Sequence, residues 1–428
     1  MHDRLRIATA VLLVSFGAAL AACGDDGDRP TLTWYVNPDP NPPAGFSGAF
    51  GQAGIAERCS TDEYRIATEA LPQSATEQRI QMLRRLVAKD PSIDLMSLDP
   101  VFTAEFAAAG ALLDIPSGVE ATLADGVLQG AVDGATWDGE LAVAPLWANT
   151  QVLWFRTSVA EAAGLDMTQP VTWDQIIDAA VDRGRYVGVQ ANKYEGYVVW
   201  INALISGAGG QIVSGTEQGV DADITIDSDA GREAARIVAK LADSSAAMPD
   251  LSVSNEGTVL GPFATDRGGF QVNWTFVYNN YAGDAATLED LGWARYPATV
   301  EGEASRPPIG GINVGIGAST DQPEFAVEAV QCITSLENQV RYAVETANMP
   351  ARTDAYAASE LQEQFPDDLL DLYRTSIDEA GPRPASAYWA TIVNATLDQW
   401  HPADAVGDGT PADSASIIHD ALRGNVLL

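Results

Sequence analysis

The sequence ELAVAPLWANTQVLWFR at residues 140–156 decides the architecture, because it is too long for one ordinary strand. It is rich in β-branched, aromatic and other apolar residues, and Pro145, Asn149 and Thr150 lie near its middle. The run therefore predicts two extended segments with a break between them. We interpret it as a crossing from one lobe of the protein to another, with residues 146–151 as the hinge.

A second crossing is predicted at residues 305–312, which lead into the glycine-rich apolar run Ile309–Ile316. Two crossings make each lobe discontinuous in sequence. The predicted lobes consist of residues 32–145 plus 313–350 (lobe 1) and of residues 152–304 plus 351–428 (lobe 2).

Strands alternate with helices before the first crossing. Strands are predicted at Leu32–Val36, Tyr64–Leu71 and Asp94–Leu98, with helices at 76–89 and 103–109 between and after them. This alternation predicts an α/β layered domain with a mainly parallel sheet in this part of the chain. Further helices and strands are predicted after the crossing, and these include single helices at 323–342 and 361–380 and strands at 268–274 and 293–296.

The N-terminus has the pattern of a secretory signal. Basic residues precede an apolar run from Ile7 to Ala22, and Leu20-Ala21-Ala22 stands directly before Cys23. This pattern predicts a signal peptide at 1–22, a lipid-modified Cys23 and a tether at 23–31. An ordinary signal peptide or a short membrane anchor is the alternative, although the run is shorter than the roughly 20 residues that span a bilayer.

The formal net charge of −35 argues against a nucleic-acid partner, because an acidic surface repels phosphate backbones. Two cysteines remain besides Cys23, namely Cys59 and Cys332. In an oxidising compartment such a pair favours a disulfide, and two buried free thiols are the alternative.

Enzyme motifs are sparse. After removal of a signal peptide only His401 and His419 remain as histidines, and no Gly-x-Ser-x-Gly elbow, phosphate-binding loop or His-Glu-x-x-His helix occurs. An acidic cluster at 221–229 lacks the glycine and distal glutamate of a calcium loop and is typical of a solvated turn. The sequence predicts no catalytic residue, metal or cofactor, although a pair of carboxylates for glycoside hydrolysis is available in so acidic a chain.

Several tryptophans stand beside amides, hydroxyls or acids, as in Asn273-Trp274-Thr275. A sugar suits such surroundings, since its C–H face stacks on an aromatic ring while its hydroxyls need polar partners. Most of the tryptophans must be core residues. Trp274 is the best candidate for stacking, because it ends a predicted strand at the place where ligands gather in α/β sheets.

Segments spread over residues 71–384 resemble one protein family. They include Leu71-Pro72-Gln73-Ser74, Leu98-Asp99, Asn149-Thr150-Gln151, Val272-Asn273-Trp274 and Arg383-Pro384. The chain resembles the extracellular solute-binding lipoproteins of ABC sugar importers, the family of maltose- and trehalose-binding proteins. Within it, the resemblance is strongest to the trehalose-binding lipoproteins of actinobacteria. The resemblance implies an α/β, two-lobed periplasmic-binding-protein-like fold with a ligand cleft at the hinge, and a Cys59–Cys332 pair.

The resemblance also implies a set of sugar-binding residues with distinct tasks. Carboxylates and an amide accept and donate hydrogen bonds, a ring stacks, glycine backbone approaches the sugar, and a guanidinium reaches hydroxyls or holds Asp99 or Glu256. The implied ligand-binding residues are Asp99, Asn149, Glu256, Trp274, Gly310, Gly311 and Arg383. The loop at 37–42 and the residues Trp147 and Ala148 depart from the trehalose-binding pattern.

The sequence therefore predicts a lipid-anchored, monomeric, extracytoplasmic receptor without enzymatic activity. It would capture trehalose or a related α-linked disaccharide and deliver it to the permease subunits of an ABC importer. Alternatives are a receptor for maltose-type oligosaccharides or another glycoside, a structural or adhesive lipoprotein, and a secreted glycoside hydrolase that uses Asp99 and Glu256.

Overall fold

The structure is a computed structural model that describes residues 29–42 and 46–427. The predictions for the signal peptide and for Cys23 lie outside these residues, as does most of the predicted tether. Among the described helices, none has both the length and the apolar character that a membrane crossing requires.

The strands of the described chain range from short two-residue pairs to one strand of 13 residues. They are β1 Thr31–Val36, β2 Arg65–Ala70, β3 Leu95–Leu98, β4 Thr136–Trp137, β5 Glu140–Leu141, β6 Ala144–Arg156, β7 Tyr186–Gly188, β8 Val213–Ser214, β9 Asp223–Ile224, β10 Gly268–Trp274, β11 Leu291–Ala294 and β12 Ile309–Ile316.

Helices separate most of the strands in sequence and form the C-terminal part of the described chain. They are α1 Gly51–Cys59, α2 Ala75–Val87, α3 Thr103–Ala108, α4 Ser117–Ala124, α5 Gln129–Asp133, α6 Thr157–Ala163, α7 Trp173–Arg183, α8 Glu195–Gly207, α9 Asp229–Ala242, α10 Leu260–Phe263, α11 Val277–Tyr281, α12 Ala285–Glu289, α13 Pro323–Ile333, α14 Leu336–Thr346, α15 Ser359–Gln364, α16 Asp367–Asp378, α17 Trp389–Trp400 and α18 Thr410–Leu422. Short 3-10 helices lie at Pro100–Phe102, Thr216–Asp221, Leu251–Val253, Asp354–Ala357 and Ala403–Ala405.

The main sheet has the strand order β2-β1-β3-β12-β6-β10-β7, and β11 also pairs with β6. The pairs β1–β2, β1–β3 and β10–β7 are parallel. Strand β6 is antiparallel to each of its neighbours, β10, β11 and β12. The pair β12–β3 is also antiparallel. The parallel sheet predicted for the alternating segment before the first crossing is confirmed by β1–β3, whereas the centre of the sheet around β6 is antiparallel.

Strand β6 is continuous, so the break predicted near the middle of residues 140–156 is wrong, and the run is interrupted only between Leu141 and Ala144. Its first half pairs with β12, up to Thr150 opposite Ile309, and its second half pairs with β10 from Gln151 opposite Trp274. The strand can stay extended because each half finds its own hydrogen-bonding partners. We call the part built on β1–β3, β12 and the first half of β6 lobe 1, and the part built on the second half of β6, β7, β10 and β11 lobe 2.

Two predicted single helices are each divided in two. The predicted helix 323–342 is broken at Thr334–Ser335, where Ser335 accepts a hydrogen bond from the Asn338 N–H and begins α14. The predicted helix 361–380 is broken at Phe365–Pro366, since proline lacks the N–H that an uninterrupted helix uses.

Each lobe has its own buried aromatic residues, including Trp34 in lobe 1 and Trp173 and Trp200 in lobe 2. A disulfide joins Cys59 of α1 to Cys332 of α13 with an S–S distance of 2.06 Å, which confirms the favoured pairing. The predicted lobe boundaries stay a prediction. Helices α17 and α18 pack beside α8 and α9 in lobe 2, whereas α15 packs on α14, which belongs to the segment predicted for lobe 1.

Candidate functional site

Trp274, at the end of β10, is partly exposed and lies against the backbone of Gly310 on β12. A Cβ built on Gly310 would come 3.0 Å from the indole Cη2 and 3.1 Å from Cζ3. This approach is tighter than most Cβ contacts, so a side chain at this position would require the Trp274 ring to move by a few tenths of an ångström. Gly310 therefore lets an aromatic ring from lobe 2 rest on a strand of lobe 1.

Gly311 is required for a different reason. Its φ of 132° is rarely adopted by residues with a side chain, and a Cβ there would lie 2.2 Å from the carbonyl oxygen of Trp147. The position shapes the β12–β6 pairing.

Glu256 lies beside Trp274. The hydroxyl of Tyr194 donates a 2.7 Å hydrogen bond to its Oε2, and Asn273 Nδ2 donates to its backbone oxygen at 2.9 Å. Burial raises the pKa of Glu256, while the Tyr194 hydroxyl and the Trp274 indole N–H act against this rise. A carboxylate and an aromatic ring thus share one corner of the cleft.

Asn149 forms hydrogen bonds across the hinge. Its Oδ1 accepts from the Thr150 N–H at 2.9 Å and lies 2.7 Å from the hydroxyl of Thr275 in lobe 2. Its Nδ2 donates to Asn348 Oδ1 at 3.3 Å. The amide therefore links β6 to the residue that directly follows Trp274.

Arg383 forms a buried ion-pair cluster with Asp99 and Glu195, and only 3% of its side chain is exposed. Its Nη2 donates to Asp99 Oδ1 at 2.9 Å and to the Ile309 carbonyl at 3.3 Å, and its Nη1 donates to Glu195 Oε1 at 2.7 Å. Burial raises the pKa of Glu195, and the guanidinium of Arg383 opposes that rise. Of the two carboxylates that the resemblance offered to Arg383, the structure selects Asp99 and not Glu256.

Asp99 has a second role, since its Oδ1 also accepts from the Val101 N–H at 3.0 Å and caps the 3-10 helix Pro100–Phe102. The carboxylate keeps 19% of its side chain exposed, so it remains reachable from the cleft.

Sequence reasoning missed Glu195 as a site residue, and it missed Asp39. Tyr342 donates a 2.6 Å hydrogen bond to Asp39 Oδ1, and the Gln52 N–H donates to Oδ2 at 2.7 Å. Burial raises the pKa of Asp39, with Tyr342 and Gln52 acting in the opposite direction. The missed signal was position: Asp39 follows β1 as Asp99 follows β3, and ligands gather at the carboxyl ends of such strands.

The structure joins the predicted residues into two groups that meet on β12. Asp99 and Arg383 form one group, and Asn149, Glu256, Trp274 and Gly310 form the other. The Ile309 carbonyl touches Arg383 and the neighbouring Gly310 touches Trp274, so both groups border one cleft. We call the second group, with Tyr194, the Trp274 site.

A cavity of about 760 Å³ opens between the lobes next to these groups. Of the seven predicted ligand residues, Gly310 and Arg383 line it. Across the described chain, no group of His, Cys, Asp and Glu side chains is arranged to hold a metal ion.

Two α/β lobes that share a strand, with a polar and aromatic cleft at the hinge, define the periplasmic-binding-protein-like class and confirm the predicted fold. Residues 66–340, more than half of the chain, match the family described as bacterial extracellular solute-binding protein, and the chain belongs to that family.

One curated relative is a probable ABC transporter-binding protein of Deinococcus radiodurans, 21% identical over 335 residues, which cover 74% of this chain and 77% of the relative. Maltose-bound MalE3 of T. maritima is 20% identical with a TM-score of 0.77, covering 92% of this chain and 100% of that one. The GacH receptor of Streptomyces glaucescens, solved unliganded and with acarbose, is 20% identical with a TM-score of 0.74, covering 92% of this chain and 98% of that one.

Proposed function

We propose that this protein captures a saccharide in the cleft between its lobes and delivers it to an ABC permease. The ligand proposed for the Trp274 site is trehalose or a related α-linked disaccharide. One observation carries the proposal: the partly exposed Trp274 ring lies beside the Glu256 carboxylate and against bare Gly310 backbone. A ring for the C–H face of a sugar and acceptors for its hydroxyls are thereby placed together.

The proposed mechanism is hinge closure without a chemical step. A ligand that contacts Asp99 in lobe 1 and Trp274 and Glu256 in lobe 2 favours the closed arrangement by its higher affinity for that state. Closure removes water from the cleft, which strengthens the hydrogen bonds to the carboxylates.

A saccharide ligand is also supported by the resemblance in sequence and by the maltose and acarbose named for the two structural neighbours. The family is extracellular in its description, and we propose that a lipid on Cys23 holds the protein at the outer side of the cell membrane as a monomer. Permease subunits of an ABC transporter are the proposed partner.

Calorimetric titration of the non-acylated protein with trehalose, maltose and glucose tests this proposal. We expect saturable disaccharide binding, and we expect Trp274→Ala to abolish most of it while the fold stays intact. Trp293→Ala is the matched control, since Trp293 is a partly exposed tryptophan whose Nε1 bonds Asp368 outside the cleft. Unchanged affinity in Trp274→Ala would remove this ring from the site, and release of glucose during the titration would favour a glycoside hydrolase.

A further inference from the structure

The two sulfurs of the disulfide differ in their access to solvent. Cys59, the last residue of α1, is only 1% exposed, whereas Cys332 of α13 is partly exposed. In thiol–disulfide exchange a thiolate attacks the sulfur that it can reach, and the other sulfur leaves as a thiolate. An attack from solvent would therefore take place at Cys332 and release Cys59.

A buried amide lies against the sulfur that would leave. Asn338 of α14 has its Nδ2 3.3 Å from Cys59 Sγ and 3.8 Å from Cys332 Sγ. The same Nδ2 donates a 2.8 Å hydrogen bond to the Cys332 carbonyl oxygen, which holds the amide in place. A hydrogen bond to an ionised acceptor is stronger than one to a neutral acceptor. Asn338 therefore favours negative charge on Cys59 over negative charge on Cys332.

Arg58 supports this amide and adds a positive charge. Its Nε donates to Asn338 Oδ1 at 2.8 Å, and this bond polarises the amide so that the Nδ2–H becomes a better donor. Its Nη2 is buried without a hydrogen-bond partner, and the guanidinium forms no ion pair with any described residue. An opposite charge close by favours the ionised form of a group. A thiolate on the adjacent Cys59 would place such a charge beside the guanidinium.

Acidic side chains near Cys332 restrict the kind of thiol that can approach. Glu328 lies one helical turn earlier on α13 and Glu337 lies on α14, and both are exposed. Neither forms an ion pair within the described chain, and the whole protein has a formal net charge of −35. This field repels anions and admits neutral or positively charged molecules.

We propose that the Cys59–Cys332 disulfide is a thiol-exchange site at which a small neutral or cationic thiol modifies Cys332. The thiolate sulfur of the reactant forms a bond to Cys332 Sγ, the bond between Cys59 and Cys332 breaks, and its electron pair leaves on Cys59 Sγ. The products are a mixed disulfide on Cys332 and a thiolate on Cys59, so the number of disulfide bonds is unchanged. Asn338 and Arg58 are positioning residues that stabilise this thiolate.

The test exposes the folded, non-acylated protein to cysteamine, a small cationic thiol, and stops the reaction with N-ethylmaleimide. Mass spectrometry of the peptides then shows which cysteine carries which group, and it separates both from Cys23. We expect cysteamine on Cys332 and maleimide on Cys59. At equal thiolate concentration, the anionic 3-mercaptopropionate should react more slowly than cysteamine.

Asn338→Asp tests the amide, because aspartate keeps an acceptor for Arg58 and lacks the N–H that donates to Cys59. We expect exchange about tenfold slower than in the wild type, since a less stabilised thiolate leaves more slowly. Arg58→Gln is a second variant with the same direction of effect, in case Asn338→Asp fails to fold, which a thermal melt will show. Asn280→Asp, at an exposed position in lobe 2, is the matched control and should react at the wild-type rate.

Several outcomes would overturn the proposal. Cysteamine on Cys59, or equally on both cysteines, would mean that the partly exposed sulfur is not the point of attack. Exchange only in urea would show that the folded protein closes the bond to thiols. Wild-type rates in the folded variants would remove Asn338 and Arg58 from the reaction, and faster reaction of 3-mercaptopropionate would contradict the selection by charge. The site includes no residue of the cleft, so these results leave the proposed function standing.

Discussion

Arg383 Nη2 lies 2.9 Å from Asp99 Oδ1, and this contact joins the two lobes across the cleft. Asp99 follows β3 in lobe 1, while Arg383 stands on a segment held to lobe 2 by a hydrogen bond from Asn202 of α8 to the Pro382 carbonyl. The lobes are therefore linked by charge. A ligand that bonds Asp99 has to share that carboxylate with Arg383.

Replacement of Arg383 should destabilise the protein strongly. Arg383→Met leaves the Glu195 carboxyl, with 6% of its side chain exposed, without its cation. Breaking a buried ion pair from one side typically costs about 3–5 kcal/mol, and we expect a loss of this size in urea unfolding. Glu195→Gln added to Arg383→Met should recover part of it. Arg374→Met, which removes an exposed pair, is the control with little expected change, and equal stability of both variants would contradict the prediction.

The neighbouring glycines Gly310 and Gly311 should respond differently to alanine. Gly310→Ala places a Cβ against the Trp274 ring without a demanding backbone angle, so we expect near-normal stability and a sugar affinity reduced about tenfold. Gly311→Ala meets both a φ of 132° and the Trp147 carbonyl, so we expect a loss of about 2–3 kcal/mol in unfolding free energy. Thermal melts and calorimetry of both variants check this. A loss of stability in Gly310→Ala together with a loss of sugar affinity in Gly311→Ala would contradict the prediction. It would show that the position of the Trp274 ring does not depend on Gly310.

The difference in stability between Glu256→Gln and the wild type should change in favour of the variant as the pH rises. Burial raises the pKa of Glu256 above its usual value of 4.5, so the native state holds the proton more firmly than the unfolded chain. The contribution of the protonated Glu256 carboxyl to the free energy of unfolding is complete below pH 4.5. It is lost as the pH rises through the raised pKa. Glutamine keeps an acceptor for Tyr194 and carries no charge.

Urea midpoints of wild type and Glu256→Gln at pH 4 and pH 7 measure this effect, and the difference should grow toward pH 7. Glu303→Gln, at an exposed position, should show no such trend. Parallel profiles for Glu256→Gln and the wild type would mean that the carboxyl pays no desolvation cost in the fold.

Reduction of the Cys59–Cys332 bond should lower stability and leave sugar affinity unchanged. The bond connects residues 273 positions apart, and removal of a native disulfide typically costs about 2–5 kcal/mol. Because α1 and α13 both lie in lobe 1 away from Trp274, the cleft should keep its geometry. Melts with and without dithiothreitol test this, and a Cys59→Ala/Cys332→Ala variant should be insensitive to the reductant. A reductant effect in that variant would assign the loss to another cause.

Much of the local structure follows from the sequence. The predicted strand at 268–274 has the observed bounds of β10, because it is a short apolar run with polar residues beyond it, and the glycine-rich run at 309–316, interpreted as part of a crossing, forms β12. The disulfide and the fold class were likewise predictable.

What the sequence does not show is which distant groups meet. Glu195 opens an apolar helix, and nothing near it indicates that Arg383, far along the chain, will supply its cation. Asn149 is predicted as a ligand residue, yet its oxygen is engaged by Thr150 and Thr275 once the two lobes are assembled. The continuity of β6 depends in the same way on partners that come more than a hundred residues later.

The path of β6 through both lobes limits where the gene of this protein can be divided. Lobe 2 holds the second half of β6 between β10 and β11, while lobe 1 holds the first half beside β12. A gene fragment that ends near Thr150 contains the first half of β6 but lacks β12, its partner in lobe 1, so lobe 1 cannot be expressed as one continuous piece. Exchange of lobe 2 between relatives by recombination therefore needs one junction inside β6 and another before β12, so a single crossover cannot transfer a whole lobe.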